Sequence, residues 1–170
     1  MKQKKWMAIL LLAILMVGAG IAGWPWFAPG HATGIEGEPL RLCAPEFMVR
    51  ILLGNPSQVE SLEEFSERRL TYAETFVFEY PSQTIYTLTE GGLSGIHYEV
   101  PTADIALYDR VCEALQTSGC YDHCSITSGQ QPEFTTSTFE KVWDSGAGTG
   151  FTTRVAYRSG TLEIDVSAFY

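Results

Sequence analysis

Residues 150–168 read GFTTRVAYRSGTLEIDVSA, and this stretch decides the fold class. Apolar and polar residues alternate on both sides of Ser159–Gly160, which is the pattern of half-buried β-strands. A two-residue loop that contains glycine, between two such runs, predicts a tight hairpin. The C-terminal end of the chain is therefore expected to form antiparallel sheet.

Three earlier runs have the same period of two. They are Thr75–Tyr80 (TFVFEY), Gln83–Thr89 (QTIYTLT) and Gly95–Val100 (GIHYEV), and all are rich in β-branched and aromatic residues. Pro81–Ser82 and Gly91–Gly92 lie between the runs, and such dipeptides are typical of turns. Together the runs predict a three-stranded antiparallel meander.

Three segments have helical features. Ala103–Gln116 follows Thr102, a favoured capping residue, and has an apolar stripe at helical spacing. Pro45–Leu53 begins with proline and is followed by Gly54, so a short helix is expected there, with a strand as the alternative. Pro56–Leu70 has apolar residues at helical spacing among charges, which predicts an amphipathic helix.

A further strand is expected at about Phe134–Trp143, after an irregular loop at residues 120–132. The elements together predict an α+β domain with a small, mainly antiparallel sheet of about six strands and two or three helices. One N-terminal hydrophobic helix precedes this domain. Three strands lie on each side of the central helix, but no sequence identity relates the two halves.

The segment Trp6–Phe27 (WMAILLLAILMVGAGIAGWPWF) carries no charge and follows three lysines. It fits a cleaved secretory signal, with a basic start, an apolar centre and small residues before Gly23. It also fits an uncleaved signal-anchor helix, in which Trp6, Trp24 and Trp26 are the membrane-interface anchors. Because lysines precede the segment and acids follow it, both alternatives export the rest of the chain.

The domain boundaries follow from these features. Residues 1–27 are assigned to a signal peptide or signal-anchor transmembrane helix, and residues 28–40 to a Gly/Pro-rich linker. Residues 41–170 are assigned to an extracytoplasmic α+β domain. His31 lies in the predicted linker, where we expect it to be solvated.

The charge of the chain restricts its partners. The net charge is −9, and the first 22 residues carry only lysine charges, so the remaining 148 residues carry −12. This acidity excludes nucleic-acid binding through phosphate neutralisation. It also leaves no basic surface for anionic lipids, so membrane contact is expected only through residues 6–27, if they are not cleaved. Another envelope protein is the expected partner, and a basic one would complement this acidity.

The chain has four cysteines: Cys43, Cys112, Cys120 and Cys124. Export, the even number and the small size of the domain predict two disulfides, with three possible connectivities. At least one disulfide is expected to join Cys43 to one of the three later cysteines. Closing such a long loop lowers the conformational entropy of the unfolded chain most and so stabilises the fold most. His123 could complete a zinc site with three of these cysteines, but the spacing lacks a Cys-x-x-Cys pair, so no metal is expected.

Four polar residues are candidates for a polar site. His97 and Glu99 share one strand face and could act as a base and its orienter, although an exposed sheet face explains them as well. Asp122 and His123 could assist a nearby hydroxyl. Because the chain contains no Gly-x-Ser-x-Gly, Ser-x-x-Lys or His-Glu-x-x-His motif, no catalytic residue is assigned, and no cofactor is expected.

These features favour a non-catalytic protein-binding module on the exported side of a bacterial envelope, at the periplasmic or extracellular face. An inhibitor, an immunity-type protein or an accessory subunit of an envelope complex would fit. One alternative is an exported hydrolase or metal-dependent enzyme that uses His97, Glu99, Asp122 and His123. Another is a structural subunit of a membrane complex that acts through its N-terminal helix.

Overall fold

The computed structural model describes residues 31–128, 134–144 and 147–169. Its strands are β1 (Gln58–Leu62), β2 (Glu67–Val77), β3 (Tyr80–Thr89), β4 (Gly92–Pro101), β5 (His123–Ser128), β6 (Phe134–Asp144), β7 (Thr149–Arg158) and β8 (Thr161–Phe169). Its helices are α1 (Glu46–Leu53), α2 (Ala106–Thr117) and a 3-10 turn at Glu63–Phe65.

The eight strands form one antiparallel sheet in the order β1-β2-β3-β4-β8-β7-β6-β5. β1 to β4 form one meander and β5 to β8 a second, and the last strands of the two meanders, β4 and β8, pair at the centre of the sheet. Helix α2 carries the chain from the centre, at the end of β4, to the far edge, where β5 begins. Each half therefore contributes four consecutive strands.

The predicted α+β fold with about six strands and two or three helices is wrong. The structure is mostly a single eight-stranded antiparallel sheet with two α-helices in its described residues. Two segments account for the difference. Residues 58–77, which overlap the predicted amphipathic helix Pro56–Leu70, form β1 and β2, and the predicted loop at residues 120–132 contains β5.

Tertiary pairing explains why Pro56–Leu70 is not helical. Val59 and Phe65, part of the predicted apolar stripe, are exposed in the structure, so their spacing does not mark a buried face. Burial along β2 instead follows a period of two, since Leu70 and Tyr72 are buried in the core. Leu70 pairs with Tyr86 on β3, and pairing across the sheet overrides a weak local helical preference.

The N-terminal hydrophobic helix predicted for residues 1–27, with Trp6, Trp24 and Trp26, lies outside the described residues. Within the described ranges, no helix combines the length and the apolar character that a membrane crossing needs.

Other predicted elements are present with shifted bounds. Helix α1 follows Pro45 and ends at Gly54, as its sequence predicts. Helix α2 begins three residues later than expected. The reason is that the Thr102 hydroxyl accepts a hydrogen bond from the Asp104 amide, and the Asp104 carboxylate accepts one from Ala106, so a turn precedes the helix.

One face of the sheet is covered and the other is open. Helices α1 and α2 lie on the covered face, together with the segment of residues 31–45. The core between these layers contains the buried apolar side chains of every strand from β2 to β4 and from β6 to β8. Among its largest fully buried members are Tyr86, Phe139, Phe151, Leu93 and Ile96.

Residues 31–45, most of which fall in the predicted linker, pack against the sheet. Ile35, Leu40 and Leu42 are buried there. The backbone of Cys43 donates a hydrogen bond to Leu93 on β4 at 2.7 Å, and the Tyr121 hydroxyl donates one to the Thr33 carbonyl. These contacts fix the segment along most of its length.

Candidate functional site

A polar network lies at the centre of the open sheet face. His97 on β4 is directly opposite Asp165 on β8, which is directly opposite Arg154 on β7. The His97 Nδ1 and Asp165 Oδ1 atoms are 2.5 Å apart, and the Arg154 Nη2 donates to Asp165 Oδ2 at 2.8 Å. The strand register alone brings the three side chains together.

The carboxylate that orients His97 is thus Asp165 and not Glu99. Glu99 lies on the same face two residues along β4, where it is directly opposite Glu163 on β8. The hydrogen bond to Asp165 raises the pKa of His97, and the negative charges of Glu99 and Glu163 add to that effect. The same hydrogen bond, helped by Arg154, holds the pKa of Asp165 below its ordinary value.

A histidine titration followed by NMR tests this network. We expect the pKa of His97 to lie above 6.5 and that of His31, which is partly desolvated and near Arg41, to lie below 6.5. Because the folded pKa of His97 is raised, the pair stabilises the fold fully below pH 6.5 and loses that effect as the pH rises through the folded pKa.

Two variants separate the contributions to the pKa of His97. Asp165→Asn should lower that pKa markedly, since it removes the hydrogen-bonded anion, while Glu163→Gln should lower it only slightly. Equal shifts in the two variants would contradict the geometry of the network.

The other two residues of the candidate polar site lie elsewhere. Asp122 precedes β5 and accepts hydrogen bonds from Lys141 Nζ at 2.8 Å and from the Val142 amide at 3.2 Å. The Lys141 ammonium lowers the pKa of the Asp122 carboxyl. His123 lies on the edge strand β5, four strands from His97, which is about 19 Å at the usual spacing of strands. The sheet does not bring the four residues into one pocket.

The four cysteines occupy three regions of the covered side. Cys43 lies beside β4, Cys120 follows α2, and Cys112 and Cys124 lie on α2 and β5, which adjoin each other. In the described part of the chain, no disulfide joins any two of them. Likewise, no group of three or more His, Cys, Asp or Glu residues in that part could hold a metal ion.

If export oxidises the protein, we expect Cys112 to pair with Cys124. Gln116, one turn after Cys112, donates a hydrogen bond to the Cys124 sulfur at 3.5 Å, which places that sulfur against α2. Burial raises the pKa of the Cys112 thiol, so the exposed Cys124 should react first with a disulfide-bearing oxidant, and Cys112 should then displace the oxidant.

Peptide mapping of the protein purified under oxidising conditions checks this pairing. A Cys112–Cys124 peptide should appear without reduction, and Cys124→Ser should lower the free energy of unfolding by about 3 kcal/mol under oxidising conditions only. A bond between Cys112 and Cys120, or reduced thiols at all four positions, would contradict the prediction.

Several large apolar side chains are exposed near the end of the sheet formed by β1. The described residues include six large apolar side chains that are exposed, and four of them lie on α1 and on the β1–β2 hairpin. We call these four the β1-end surface; its members are Phe47, Ile51, Val59 and Phe65.

Helix α1 and strand β1 both adjoin β2, so the elements that carry the four side chains lie at the same end of the sheet. At the start of α1, Glu46 accepts a hydrogen bond from Arg68 of β2 at 2.8 Å. Just beyond its end, the Gly54 carbonyl accepts one from Tyr72 of β2 at 3.1 Å. Within the sheet, β2 pairs with β1 along the whole length of β1.

A groove of about 500 Å³ lies between the start of α1, the β1–β2 hairpin and the β3–β4 turn. Four glutamates and one arginine supply its charged lining, so it is acidic. The charged lining residues are Glu46, Glu63, Glu67, Glu90 and Arg68.

Sequence reasoning missed the β1-end surface, although a signal for it exists. Six of the eight residues of α1 (EFMVRILL) are apolar, and only Met48 and Val49 are buried. A helix that is apolar on nearly every side needs more cover than one sheet face provides. Phe47 and Ile51, one turn apart, are the residues left outside.

Comparisons with known proteins give no relative. No model of a protein family, no curated protein and no solved structure matches the chain.

Proposed function

We propose that the protein is a non-catalytic binding module that recognises another protein with its β1-end surface. The observation that carries this proposal is that four exposed large apolar side chains, Phe47, Ile51, Val59 and Phe65, belong to two elements that both adjoin β2, namely α1 and the β1–β2 hairpin. Phe65 is 65% exposed and Ile51 is 62% exposed. Apolar side chains grouped in this way are typical of protein–protein contact sites.

The strand edge supplies a second kind of contact. β1 is the first strand of the sheet, so only one of its sides is paired within the described residues. The backbone N–H and C=O groups on the other side are available to an added strand. An extended segment of the partner could pair with β1 while its apolar side chains contact Val59 and Phe65.

The charge of this end indicates a basic partner. The acidic groove adjoins the β1–β2 hairpin, and Glu60, Glu63 and Glu64 are exposed on that hairpin. Complementary charge raises the association rate and the specificity against acidic proteins more than it raises the affinity. We therefore propose a partner segment that alternates basic and apolar residues.

The location of the protein is part of the proposal. The uncharged segment Trp6–Phe27 after three lysines supports export to the periplasmic or extracellular face, where the partner would be another envelope protein. The domain would be released there, or held at the inner membrane if the segment is not cleaved.

Affinity capture from the protein's own envelope extract tests the proposal. The triple variant Phe47→Ser, Ile51→Ser, Phe65→Ser should lose the specific partner, because it removes apolar contact without touching the core. Ile105→Ser is the matched control, since Ile105 is 48% exposed but lies before α2, near the β7–β8 turn. Equal recovery of every protein by the wild type and both variants would count against the β1-end surface.

A further inference from the structure

A second cavity, of about 310 Å³, lies on the covered side of the sheet. It is enclosed by the turn at Gly37–Pro39, the end of α1 and the irregular part of β2 between Tyr72 and Thr75. A break in strand register of this kind is frequent next to binding sites. Its volume lies at the small end of the range for ligand pockets.

The Glu38 carboxyl group is one of two that line this cavity. Glu38 accepts hydrogen bonds from the Leu40 amide at 2.7 Å, from the Tyr86 hydroxyl at 2.9 Å and from the Tyr98 hydroxyl. Burial raises the pKa of this carboxyl, against the opposing effect of the three hydrogen bonds. A carboxylate has about four acceptor positions, so one remains, on the oxygen that faces the Leu40 amide.

The residues that line the cavity suit a cation that carries an alkyl group. The lining includes the aromatic rings of Tyr72 and Tyr86, which contact each other edge to face with centroids 5.6 Å apart. Leu52, Leu53 and Phe76 supply apolar surface. Among the described residues, the lining includes a second carboxylate, that of Glu74, but no lysine, arginine or histidine. Aromatic faces and a carboxylate together attract ammonium groups.

We infer that this cavity binds a small organic ammonium ion, whose charged head contacts Glu38 and whose alkyl part contacts Leu52, Leu53 and Phe76. The ammonium group would donate to the remaining acceptor position of Glu38 and offset the cost of burying that charge. The site is separate from the β1-end surface, so it goes beyond the proposed protein binding.

The test is an NMR titration of the full-length chain, kept soluble in a non-ionic detergent, with n-butylammonium chloride. We expect saturable shifts at Tyr86, Tyr98 and Thr84, with a dissociation constant in the millimolar range or below. Sodium chloride at the same ionic strength and n-butanol, which lacks the charge, should produce no saturable shift at these residues.

Three variants complete the experiment. Glu38→Gln should weaken binding at least tenfold. Leu53→Trp should abolish binding by filling the cavity without touching the hydrogen bonds of Glu38. Ile105→Trp, at an exposed position outside the cavity lining, should bind like the wild type. If Glu38→Gln does not fold, the Leu53→Trp and Ile105→Trp pair decides the question. Unsaturated shifts, equal shifts with n-butanol, or unchanged binding in Leu53→Trp would overturn the inference.

Discussion

Replacing Glu38 by alanine is expected to lower the free energy of unfolding by about 2–4 kcal/mol. The change removes the acceptor for Tyr86 and Tyr98, which are almost completely buried and whose hydroxyls would lose their partner. Each buried donor left in this state costs about 1–3 kcal/mol. The residue also fastens the segment of residues 31–45 to the sheet, so its loss should loosen that segment.

Urea unfolding followed by circular dichroism measures the effect of Glu38→Ala. Glu38→Gln is the control, since its amide oxygen still accepts from the tyrosines, and its cost should be clearly smaller. Glu79→Ala, on the exposed β2–β3 turn, should change stability little. A Glu38→Ala variant as stable as the wild type would show that residues 31–45 do not depend on this contact.

The pH dependence of stability gives an independent check on Glu38. Burial raises its folded pKa above the ordinary value of 4.5, so the folded state holds the proton more tightly than the unfolded state. The resulting stabilisation is present at pH values below 4.5 and is lost as the pH rises through the folded pKa. In that window the wild type should lose stability relative to Glu38→Gln.

Gly150→Ala is expected to have the second large effect, a loss of about 2–3 kcal/mol. Gly150 is buried at the start of β7, and a Cβ atom there would lie 2.1 Å from the Lys141 carbonyl oxygen and 2.6 Å from the Phe169 ring. The first contact is with the backbone of the paired strand β6, so the two strands must move apart to accommodate the methyl group.

Thermal or urea unfolding of Gly150→Ala gives the measurement, with Gly91→Ala as its matched control. Gly91 lies in the β3–β4 turn, where the nearest atom to an added Cβ is a side-chain oxygen at 3.9 Å. The control should change stability by less than about 0.5 kcal/mol. If both variants were neutral, the close approach of β6 and β7 at Gly150 would be contradicted.

Elements whose signals are local could be predicted from the sequence. The β7–β8 hairpin turns at Ser159–Gly160 as expected, because alternation and turn residues act on the same short stretch. Helix α1 begins after Pro45 and α2 contains its predicted apolar stripe, since capping and helical spacing are also local.

Features that depend on partners far apart in sequence could not be predicted. Nothing within Pro56–Leu70 indicates that Leu70 will pair with Tyr86, and that pairing decides the conformation. The partner of His97 is Asp165, which is 68 residues away, while sequence proximity favoured Glu99. Glu38 lies among glycines and prolines, whose composition resembles a linker and conceals its contacts with two buried tyrosines.

The β1-end surface could be predicted only in part. The apolar composition of α1 shows that the helix needs cover, but not which of its residues stay outside. Val59 is exposed on β1, the edge strand of the sheet in the described residues, and Phe65 is exposed on the 3-10 turn that follows β1. The order of the whole sheet determines that β1 lies at the edge.

Site-specific photo-crosslinking in cells that make the protein tests the central claim most directly. A photoreactive amino acid is placed at Val59 or, in a separate strain, at Ile105, which are matched in exposure at 49% and 48%. We predict that irradiation joins the Val59 position to one envelope protein, through a basic and apolar segment of that protein, and gives no such adduct from the Ile105 position. The same adducts from both positions, or none from Val59, would contradict binding at the β1 end.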